Sequence, residues 1–138
     1  ANVYGPRQDP EGEAGIVAIF GLQMLRKQSV TIFGDGEQTR DYVYVADVVK
    51  AHELTQNVCE PVTVNISTGE ATTVNELFRM MAIELGYSLA PQYAEGRIGE
   101  LKDVVLSNSR ADQLLGWRSE TSLREGIRNT LNWIKEQE

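Results

Sequence analysis

The sequence predicts an α/β (α+β) fold in which flanking helices cover a small mixed sheet. Two stretches, Ile16 to Lys27 and Leu123 to Ile134, carry apolar residues at the spacing of a helix that is buried on one face. Short runs of β-branched and aromatic residues interleave with these helical stretches, which is typical of α/β and α+β proteins. A chain of 138 residues suits one core, so we expect residues 1–138 to form a single domain.

The first half of the chain alternates helices with strands. The helix over Ile16 to Lys27 precedes a short β-rich run over Val30 to Phe33. The segment Gly34 to Gly36 tolerates positive φ and predicts a sharp turn. A second strand-forming run, Thr39 to Val45, leads to Asp47 near the start of a helix that is directed towards Cys59. This arrangement predicts a junction from strand to helix.

The middle of the chain is marked by another strand and a strong helix start. Val62 to Ile66 predicts a strand that ends at Ser67-Thr68-Gly69. Thr73 and Glu76 have the spacing of a capping box, which opens a helix through Leu85. The segment Ser88 to Gly99 lacks periodicity, and we expect it to form a loop.

The last third contains short elements and a final amphipathic helix. Val104 to Leu106 predicts a brief strand, and Ser109 to Leu115 predicts a short helix that Gly116 ends. Ser122 and Glu125 form a second capping-box pattern before the apolar stripe of the last helix. We expect that stripe to dock on the core.

Charge and composition exclude several classes of function. Lys and Arg total 13 against 20 Asp and Glu, a net charge of −7, and such a field repels nucleic acids and anionic membranes. Cys59 is the only cysteine, which favours a reducing cytoplasm over a disulfide-bonded exterior. No apolar run reaches the length of a membrane span, and we expect no secretory leader. The sequence begins at Ala1 without Met, so we expect a piece of a longer protein.

Common catalytic patterns are missing. The single histidine, His52, lies mid-helix without a second metal ligand, and we expect it to be a surface or packing residue. The Gly34 to Gly36 segment is followed by strand formers, so it lacks the helix N-terminus of a phosphate-binding loop. The acids Asp9, Glu11 and Glu13 lack the spacing of a calcium loop and are interpreted as a solvated charge run.

Two arginines stand where they could bind an anion. Arg40 follows the glycine turn, and Arg97 lies in a loop between two glycines. Arginine binds oxyanions through a planar pair of donors, and Glu100 could accept hydrogen bonds from vicinal hydroxyls such as those of a ribose. The alternative is surface ion pairing, of Arg40 with Asp41 or Asp47 and of Arg97 with Glu95 or Glu100. Spacing alone leaves both interpretations open.

Several motifs, in order, carry a resemblance to a known family. The motifs are Asn2 to Gln8 (NVYGPRQ), Phe33 to Val45 (FGDGEQTRDYVYV), Asn65 to Gly69 (NISTG), Arg97 to Glu100 (RIGE) and Leu115 to Trp117 (LGW). They resemble the NAD-dependent epimerase/dehydratase family, the extended short-chain dehydrogenases that act on nucleotide sugars. Within it, the chain looks most similar to UDP-glucose 4-epimerase-like proteins.

The resemblance implies that the chain is the C-terminal substrate-binding lobe of a longer enzyme. Family members begin with a Rossmann domain that carries a glycine-rich fingerprint and, later, a catalytic Tyr-x-x-x-Lys pair. Neither pattern occurs here, because none of the four lysines has a tyrosine four residues earlier. The resemblance therefore predicts no catalytic residue in this chain and no binding of NAD by this chain alone, with NAD as the cofactor of the full-length parent.

The resemblance also assigns substrate-binding roles. Asn2 matches a family residue near the diphosphate and sugar, and Thr31 and Phe33 match positions whose backbone pairs with uracil. Arg40 and Arg97 match the arginines that clamp the diphosphate. Glu100 matches an acid that binds the ribose hydroxyls. Two positions depart from the family pattern. Ile98 stands where proline is common, and Ser107 stands where aspartate is common, which leaves the exact nucleotide open.

The function implied is the binding of a UDP-hexose for an NAD-dependent 4-epimerase. Alternatives are the same lobe of a nucleotide-sugar 4,6-dehydratase or decarboxylase, or a non-catalytic module that binds a nucleotide sugar or a protein. An isolated lobe would expose the apolar surface that meets the Rossmann domain, which favours self-association.

Overall fold

The computed structural model of the chain describes residues 1–10 and 15–138. The helices are α1 (Ile16–Leu25), α2 (Val45–Thr55), α3 (Val74–Leu85), α4 (Ser109–Leu115) and α5 (Leu123–Gln137). The strands are β1 (Asn2–Tyr4), β2 (Thr31–Phe33), β3 (Thr39–Arg40), β4 (Tyr42–Tyr44), β5 (Thr72–Thr73), β6 (Gln92–Ala94) and β7 (Asp103–Val104). The predicted acids Glu11 and Glu13 lie outside the described residues.

The mixed α/β architecture is confirmed, with its strands divided among three small sheets. β1 and β4 pair in parallel, as do β2 and β6. β3 lies between β5, which is antiparallel to it, and β7, which is parallel. The predicted run from Thr39 to Val45 splits at Asp41, because Arg40 pairs in one sheet and Tyr42 in another.

The main core is formed by α1, α3 and α5 packed over β2. Leu77 and Met81 on α3 are fully buried, and Ile127 and Leu131 on α5 are 1% exposed. On each helix the two residues are four positions apart, so each helix presents one apolar face to the others. The predicted docking of the last helix is confirmed.

Helix ends follow the local sequence signals. Thr73 and Glu76 form a complete capping box at α3, and at α5 the Ser122 side chain accepts the Glu125 N–H. Gly34 and Gly36 both adopt φ of 76° in the predicted turn. Among the helices of the described ranges, none has the length and apolar character that crossing a bilayer requires.

A second core cluster joins α2 to α4 around Trp117, which is 1% exposed. The Trp117 indole Nε1 donates to the backbone carbonyl of Asp47 at 2.7 Å. The buried Asp47 carboxylate accepts bonds from the Ser119 hydroxyl at 3.0 Å and from the Thr121 N–H at 3.1 Å. Asp47 thus lies in the first turn of α2, as predicted, and fastens that turn to the segment after Trp117.

Two expectations about strands are wrong. Val62 to Ile66 forms no ladder within the described chain, although its burial alternates and its valines pack on the second core. Its polar groups are held in other ways: the Asn65 amide donates to the Ser107 carbonyl, and the Ala1 amino group donates to the Ile66 carbonyl. Conversely, Gln92–Ala94 lies in the predicted loop yet forms β6, because β2 offers it a parallel partner.

Candidate functional site

A cavity of about 500 Å³ lies beside β1, β2 and the first turns of α1. All six residues to which the sequence assigned substrate contacts line this cavity. They are Asn2, Thr31, Phe33, Arg40, Arg97 and Glu100. They come from four separate parts of the chain, so the fold brings them together, while their roles towards a ligand stay predictions.

Arg40 ends β3 and is held on three sides. Its Nη1 donates to the carbonyls of Thr39 at 2.7 Å and Lys102 at 3.1 Å. Its Nη2 donates to Glu100 Oε1 at 2.6 Å. The alternative pairing of Arg40 with Asp41 or Asp47 is wrong, because both of those carboxylates are buried on neutral donors and Glu100 is the ion-pair partner.

Arg97 is exposed and stacks on an aromatic ring. Its guanidinium carbon lies 4.5 Å from the centre of the Phe33 ring, a distance at which a cation is attracted to the ring face. Glu100, the partner considered from spacing, is engaged by Arg40 instead. The guanidinium edge of Arg97 therefore stands beside the cavity above an aromatic surface that a flat base could share.

β2 contributes backbone as well as side chains. One edge of β2 pairs with β6, and the Phe33 carbonyl accepts the Gln38 side-chain amide at 2.8 Å. A carbonyl oxygen has two acceptor positions, so Phe33 retains one for a ligand. Thr31 and Phe33 lie two residues apart and point to the same face of the strand.

The site contains a residue that sequence reasoning missed. Tyr42 is 6% exposed, lines the cavity, and its hydroxyl finds no hydrogen-bond partner among the described residues. Burial raises the pKa of Tyr42 to about 12, with Arg40 lowering it and Glu100 raising it. Its position two residues after Arg40 was the available signal, since residues so spaced in extended chain share a face. Tyr42 therefore places a neutral, unpaired hydroxyl beneath the cavity wall at physiological pH.

The start of α1 also opens on the cavity. Gly15, the residue that caps α1, makes no side-chain hydrogen bond to the helix, and Ile16 and Val17 line the cavity. The exposed N–H groups and dipole of a helix N-terminus favour an anion. The buried side-chain oxygen of Gln8, also on the lining, has no partner among the described residues.

Another cavity of about 410 Å³ shares Tyr42 but has a different character. Its charged pair, Asp112 and Arg118, is joined by two hydrogen bonds at 3.0 and 2.9 Å. The Asn108 amide on its wall donates to the carbonyls of Ser67 and Thr68. Because these groups satisfy one another, the cavity that contains Arg40 is the better candidate site.

Comparison with known proteins identifies the family. Residues 1–130 match the family described as GDP-mannose 4,6 dehydratase. The chain belongs to this family. It is 43% identical over 136 residues to a UDP-glucose 4-epimerase of Mycolicibacterium smegmatis, covering 98% of the chain and 44% of that relative.

Solved structures agree with the sequence match. A UDP-glucose 4-epimerase of Thermotoga maritima, crystallised with UDP-glucose, superposes with a TM-score of 0.97 at 47% identity over 99% of the chain and 44% of that protein. A UDP-glucose 4-epimerase of Thermus thermophilus, in complex with NAD, gives 0.85 at 42% identity over 97% of the chain and 44% of that protein. The chain thus spans less than half the length of these relatives and corresponds to their C-terminal part, as the resemblance predicted.

Two strand-to-helix junctions of the described chain lack the glycine pattern of a dinucleotide-binding fold. A dinucleotide fold needs glycines where a strand turns into a helix, so that the backbone approaches the pyrophosphate. Here β4 runs into α2 at Tyr44 and Val45, and β5 runs into α3 at Thr73 and Val74. None of these four positions is a glycine, so neither junction carries the dinucleotide-binding pattern. Within the described ranges, no group of three or more metal-ligating side chains is assembled either.

Proposed function

We propose that residues 1–138 are the nucleotide-sugar-binding domain of a longer NAD-dependent UDP-hexose 4-epimerase. The observation that carries this proposal is the convergence of Arg40, Arg97 and Glu100 on one cavity beside the edge of β2. This set combines two guanidiniums for a diphosphate with an acceptor for a diol. The crystallised Thermotoga maritima relative, with its UDP-glucose, supports the same class of ligand.

The diphosphate would lie between the arginines. Arg40 is fixed by its bonds to the Thr39 and Lys102 carbonyls, so it loses little side-chain entropy on binding. Arg97 approaches from the loop, and the α1 N-terminus supplies further donors. A chain with net charge −7 thus concentrates its donors where an anion would bind, and charge-assisted bonds of this kind are the strong ones.

The uridine would extend along β2. The backbone at Thr31 and Phe33 offers donors and acceptors to a base edge, and the Phe33 ring and Arg97 offer a surface for stacking. Asn2 and Gln8 lie elsewhere on the cavity lining and would face the sugar end. Binding the remote nucleotide in this way orients the hexose for a reaction that occurs outside the chain.

The chemistry itself is assigned to the rest of the parent protein. NAD supplies hydride transfer at the sugar carbon when it is bound, and the residues of this chain bind and orient the substrate. The single Cys59 suits a reducing cytoplasm, and this location stays a prediction. Self-association through the surface that would face a Rossmann domain is also a prediction.

A second candidate is the same lobe of a 4,6-dehydratase, which the description of the matching family favours. The two candidates share the diphosphate clamp and differ in the reaction of the full-length parent. Incubation of that parent with UDP-glucose separates them: UDP-galactose as the product would favour the epimerase, and a 4-keto-6-deoxy sugar would favour the dehydratase. A non-catalytic module is favoured only if the gene contains no upstream dinucleotide-binding sequence.

The test is a titration of the chain with UDP-glucose in which the chemical shifts of the backbone amides, measured by NMR, report binding. Arg40→Ala and Arg97→Ala should each weaken binding by about tenfold or more, because each removes a charge-assisted phosphate contact. Arg128→Ala is the matched control, since Arg128 pairs with Glu84 away from the cavity. Unchanged binding by Arg40→Ala and Arg97→Ala would overturn the proposed function.

A further inference from the structure

The two arginines of the cavity are held by different kinds of partner. The Arg97 guanidinium carbon lies over the face of the Phe33 ring, 4.5 Å from its centre. Within the described part of the chain, no carboxylate pairs with Arg97 and no side-chain hydrogen bond holds its guanidinium. Arg40, in contrast, bonds Glu100 Oε1 at 2.6 Å through its Nη2. An aromatic ring therefore holds one arginine and a carboxylate holds the other.

These two kinds of partner act differently on an incoming anion. A carboxylate occupies guanidinium donors and offsets the positive charge, so a phosphate has to compete with it. A ring face attracts the cation through its quadrupole and takes none of the N–H donors at the edge of the guanidinium. The contact with Phe33 therefore restricts the Arg97 side chain and leaves both its charge and its N–H donors to a ligand.

Phe33 stands on a well-anchored part of the fold. Its strand, β2, pairs with β6, with Phe33 opposite Ala94. The Phe33 carbonyl accepts the Gln38 side-chain amide at 2.8 Å, and the following N–H, of Gly34, donates to the Ala94 carbonyl at 2.9 Å. Phe33 is 38% exposed and lines the cavity, so its ring offers a fixed surface to Arg97.

Arg97 needs such a surface because its side chain is exposed. An exposed arginine samples many rotamers, and ordering it when a ligand binds costs free energy. The Phe33 ring restricts these rotamers before the ligand arrives. Because Phe33 and Arg97 line the same cavity, the restriction holds the guanidinium where the proposed diphosphate would bind.

We infer that the Phe33 side chain is a positioning residue, whose ring orders the Arg97 guanidinium for the diphosphate without neutralising it. The inference rests on the proposed function and deepens it, since the resemblance gives Phe33 only a backbone role towards uracil. The ring acts on the phosphate end of the ligand, through Arg97. A phosphate probe without a base should therefore depend on the ring as strongly as a nucleotide does.

The experiment measures dissociation constants of UDP and of inorganic pyrophosphate by NMR titration of the full 138-residue chain. Phe33→Leu keeps an apolar side chain but removes the ring, and Phe33→Tyr keeps the ring. Phe33→Leu is also made in an Arg97→Ala background and, as the matched control, in an Arg40→Ala background. All titrations use one salt concentration, because ions screen phosphate binding.

Phe33→Leu should weaken the binding of UDP and of pyrophosphate by about threefold each. This factor is the worth of a cation–π contact at an exposed site, expressed as a smaller fraction of chains with Arg97 in the binding rotamer. Phe33→Tyr should bind both probes as the wild type does. The effect of Phe33→Leu should vanish in the Arg97→Ala background and persist in the Arg40→Ala background.

The side-chain protons of Arg97 supply a readout that needs no ligand. They should show an upfield ring-current shift in the wild type and in Phe33→Tyr, and this shift should be lost in Phe33→Leu. A general disturbance of the fold would instead weaken binding in both arginine backgrounds. The coupling to Arg97 alone is therefore what distinguishes a positioning role from a structural one.

Two results would overturn the inference while the proposed function stands, provided that Arg97→Ala still weakens UDP binding. If Phe33→Leu weakens UDP but leaves pyrophosphate unchanged, the ring stacks on the base and does not act through Arg97. If Phe33→Leu changes neither probe, or has the same effect in the Arg97→Ala background, the ring does not position Arg97. If the wild-type chain binds neither UDP nor pyrophosphate, the proposed function fails and this inference fails with it.

Discussion

The buried carboxylate of Asp41 accepts hydrogen bonds from both the backbone N–H of Thr68, at 2.9 Å, and its hydroxyl, at 2.7 Å. The Gly69 N–H donates to the same carboxylate at 2.9 Å, and the Asn2 N–H donates to the Asp41 carbonyl at 2.9 Å. Asp41 thus ties the strand junction that carries Arg40 to two distant segments. Its neighbours are neutral donors, so every donor must stay in place to stabilise the charge.

Asp41→Asn should destabilise the fold by about 2 kcal/mol or more, because the amide nitrogen would oppose backbone N–H groups that now point at a carboxylate. Chemical denaturation measures this change in the free energy of unfolding. Asp35→Asn is the control: Asp35 is exposed and accepts one turn hydrogen bond that asparagine retains, so its effect should stay within about 0.5 kcal/mol. Equal costs for the two variants would contradict the role of Asp41.

Tyr42→Phe should test the burial of an unpaired hydroxyl. The hydroxyl has no partner within the described chain, so its removal should leave stability at pH 7 unchanged or raise it by about 1 kcal/mol. UDP affinity should change by less than about twofold, because the hydroxyl is buried beneath the cavity wall. Tyr93→Phe should instead lose about 1 kcal/mol of stability, since the Tyr93 hydroxyl donates to Asn75 at 2.9 Å. Chemical denaturation of the two variants measures both changes, and a large loss of stability in Tyr42→Phe would contradict the unpaired state of its hydroxyl.

The same variant has a predicted pH signature. Burial raises the pKa of Tyr42 from 10.0 to about 12. Because the pKa is higher in the folded than in the unfolded chain, the contribution of the neutral Tyr42 hydroxyl to the free energy of unfolding is complete below pH 10. That contribution is lost as the pH rises towards 12. Tyr42→Phe should therefore lose less stability than the wild type across that alkaline window. Parallel unfolding curves for the two proteins from about pH 9 to about pH 12 would contradict the burial of this hydroxyl.

Gly126→Ala should destabilise α5 although alanine is the better helix former. A Cβ at Gly126 would overlap the Tyr4 hydroxyl and lie 2.8 Å from Tyr4 Cζ and 2.9 Å from Tyr44 Cδ2. Helix propensity favours alanine by about 1 kcal/mol, but overpacking costs about 1–3 kcal/mol. In Gly96→Ala the new Cβ meets only the Gly34 backbone, at 3.6 Å or beyond, and should be tolerated. Thermal unfolding distinguishes the two, and a stabilised Gly126→Ala would refute the close packing.

The capping box of α3 predicts an acid-sensitive contribution. The Thr73 N–H and hydroxyl donate to Glu76, which lowers the pKa of that carboxyl below 4.5. Because the pKa is lower in the folded than in the unfolded chain, the ionised Glu76 carboxylate stabilises the fold above pH 4.5. This stabilisation is lost as the pH falls through the pKa of Glu76 in the folded chain. Glu76→Gln should reduce the fall of the melting temperature as the pH is lowered below 4.5. Glu125→Gln, at the equivalent position of α5, is the control, and an equal effect there would argue against the cap.

The fold was predictable where the signals were local. The helices themselves followed from apolar spacing, the Thr73 cap and the glycine turn, all of which act within a few residues. α1 and α2 nevertheless end earlier than predicted, at Leu25 and Thr55. Strand partners were not predictable, because β6 exists only through β2, some sixty residues earlier in the chain. Val62 to Ile66 shows the converse: it has strand composition and alternating burial, yet no ladder forms within the described chain.

The candidate site was predictable only in part for the same reason. The resemblance identified six residues that the fold brings to one cavity. From sequence spacing, Asp41 and Asp47 were the candidate ion-pair partners of Arg40. The ion-pair partner in the structure is Glu100, which lies sixty residues away in the sequence. Tyr42 was missed because an unpaired buried hydroxyl is a property of packing, and its spacing from Arg40 indicates a shared face but not the missing hydrogen-bond partner.

The most direct test of the account is a crystal structure of the chain soaked with UDP-glucose. We expect diphosphate density between Arg40 and Arg97, with the base along β2 and the ribose hydroxyls beside Glu100. Density for the nucleotide in another cavity would contradict the central claim that this cavity binds the nucleoside diphosphate.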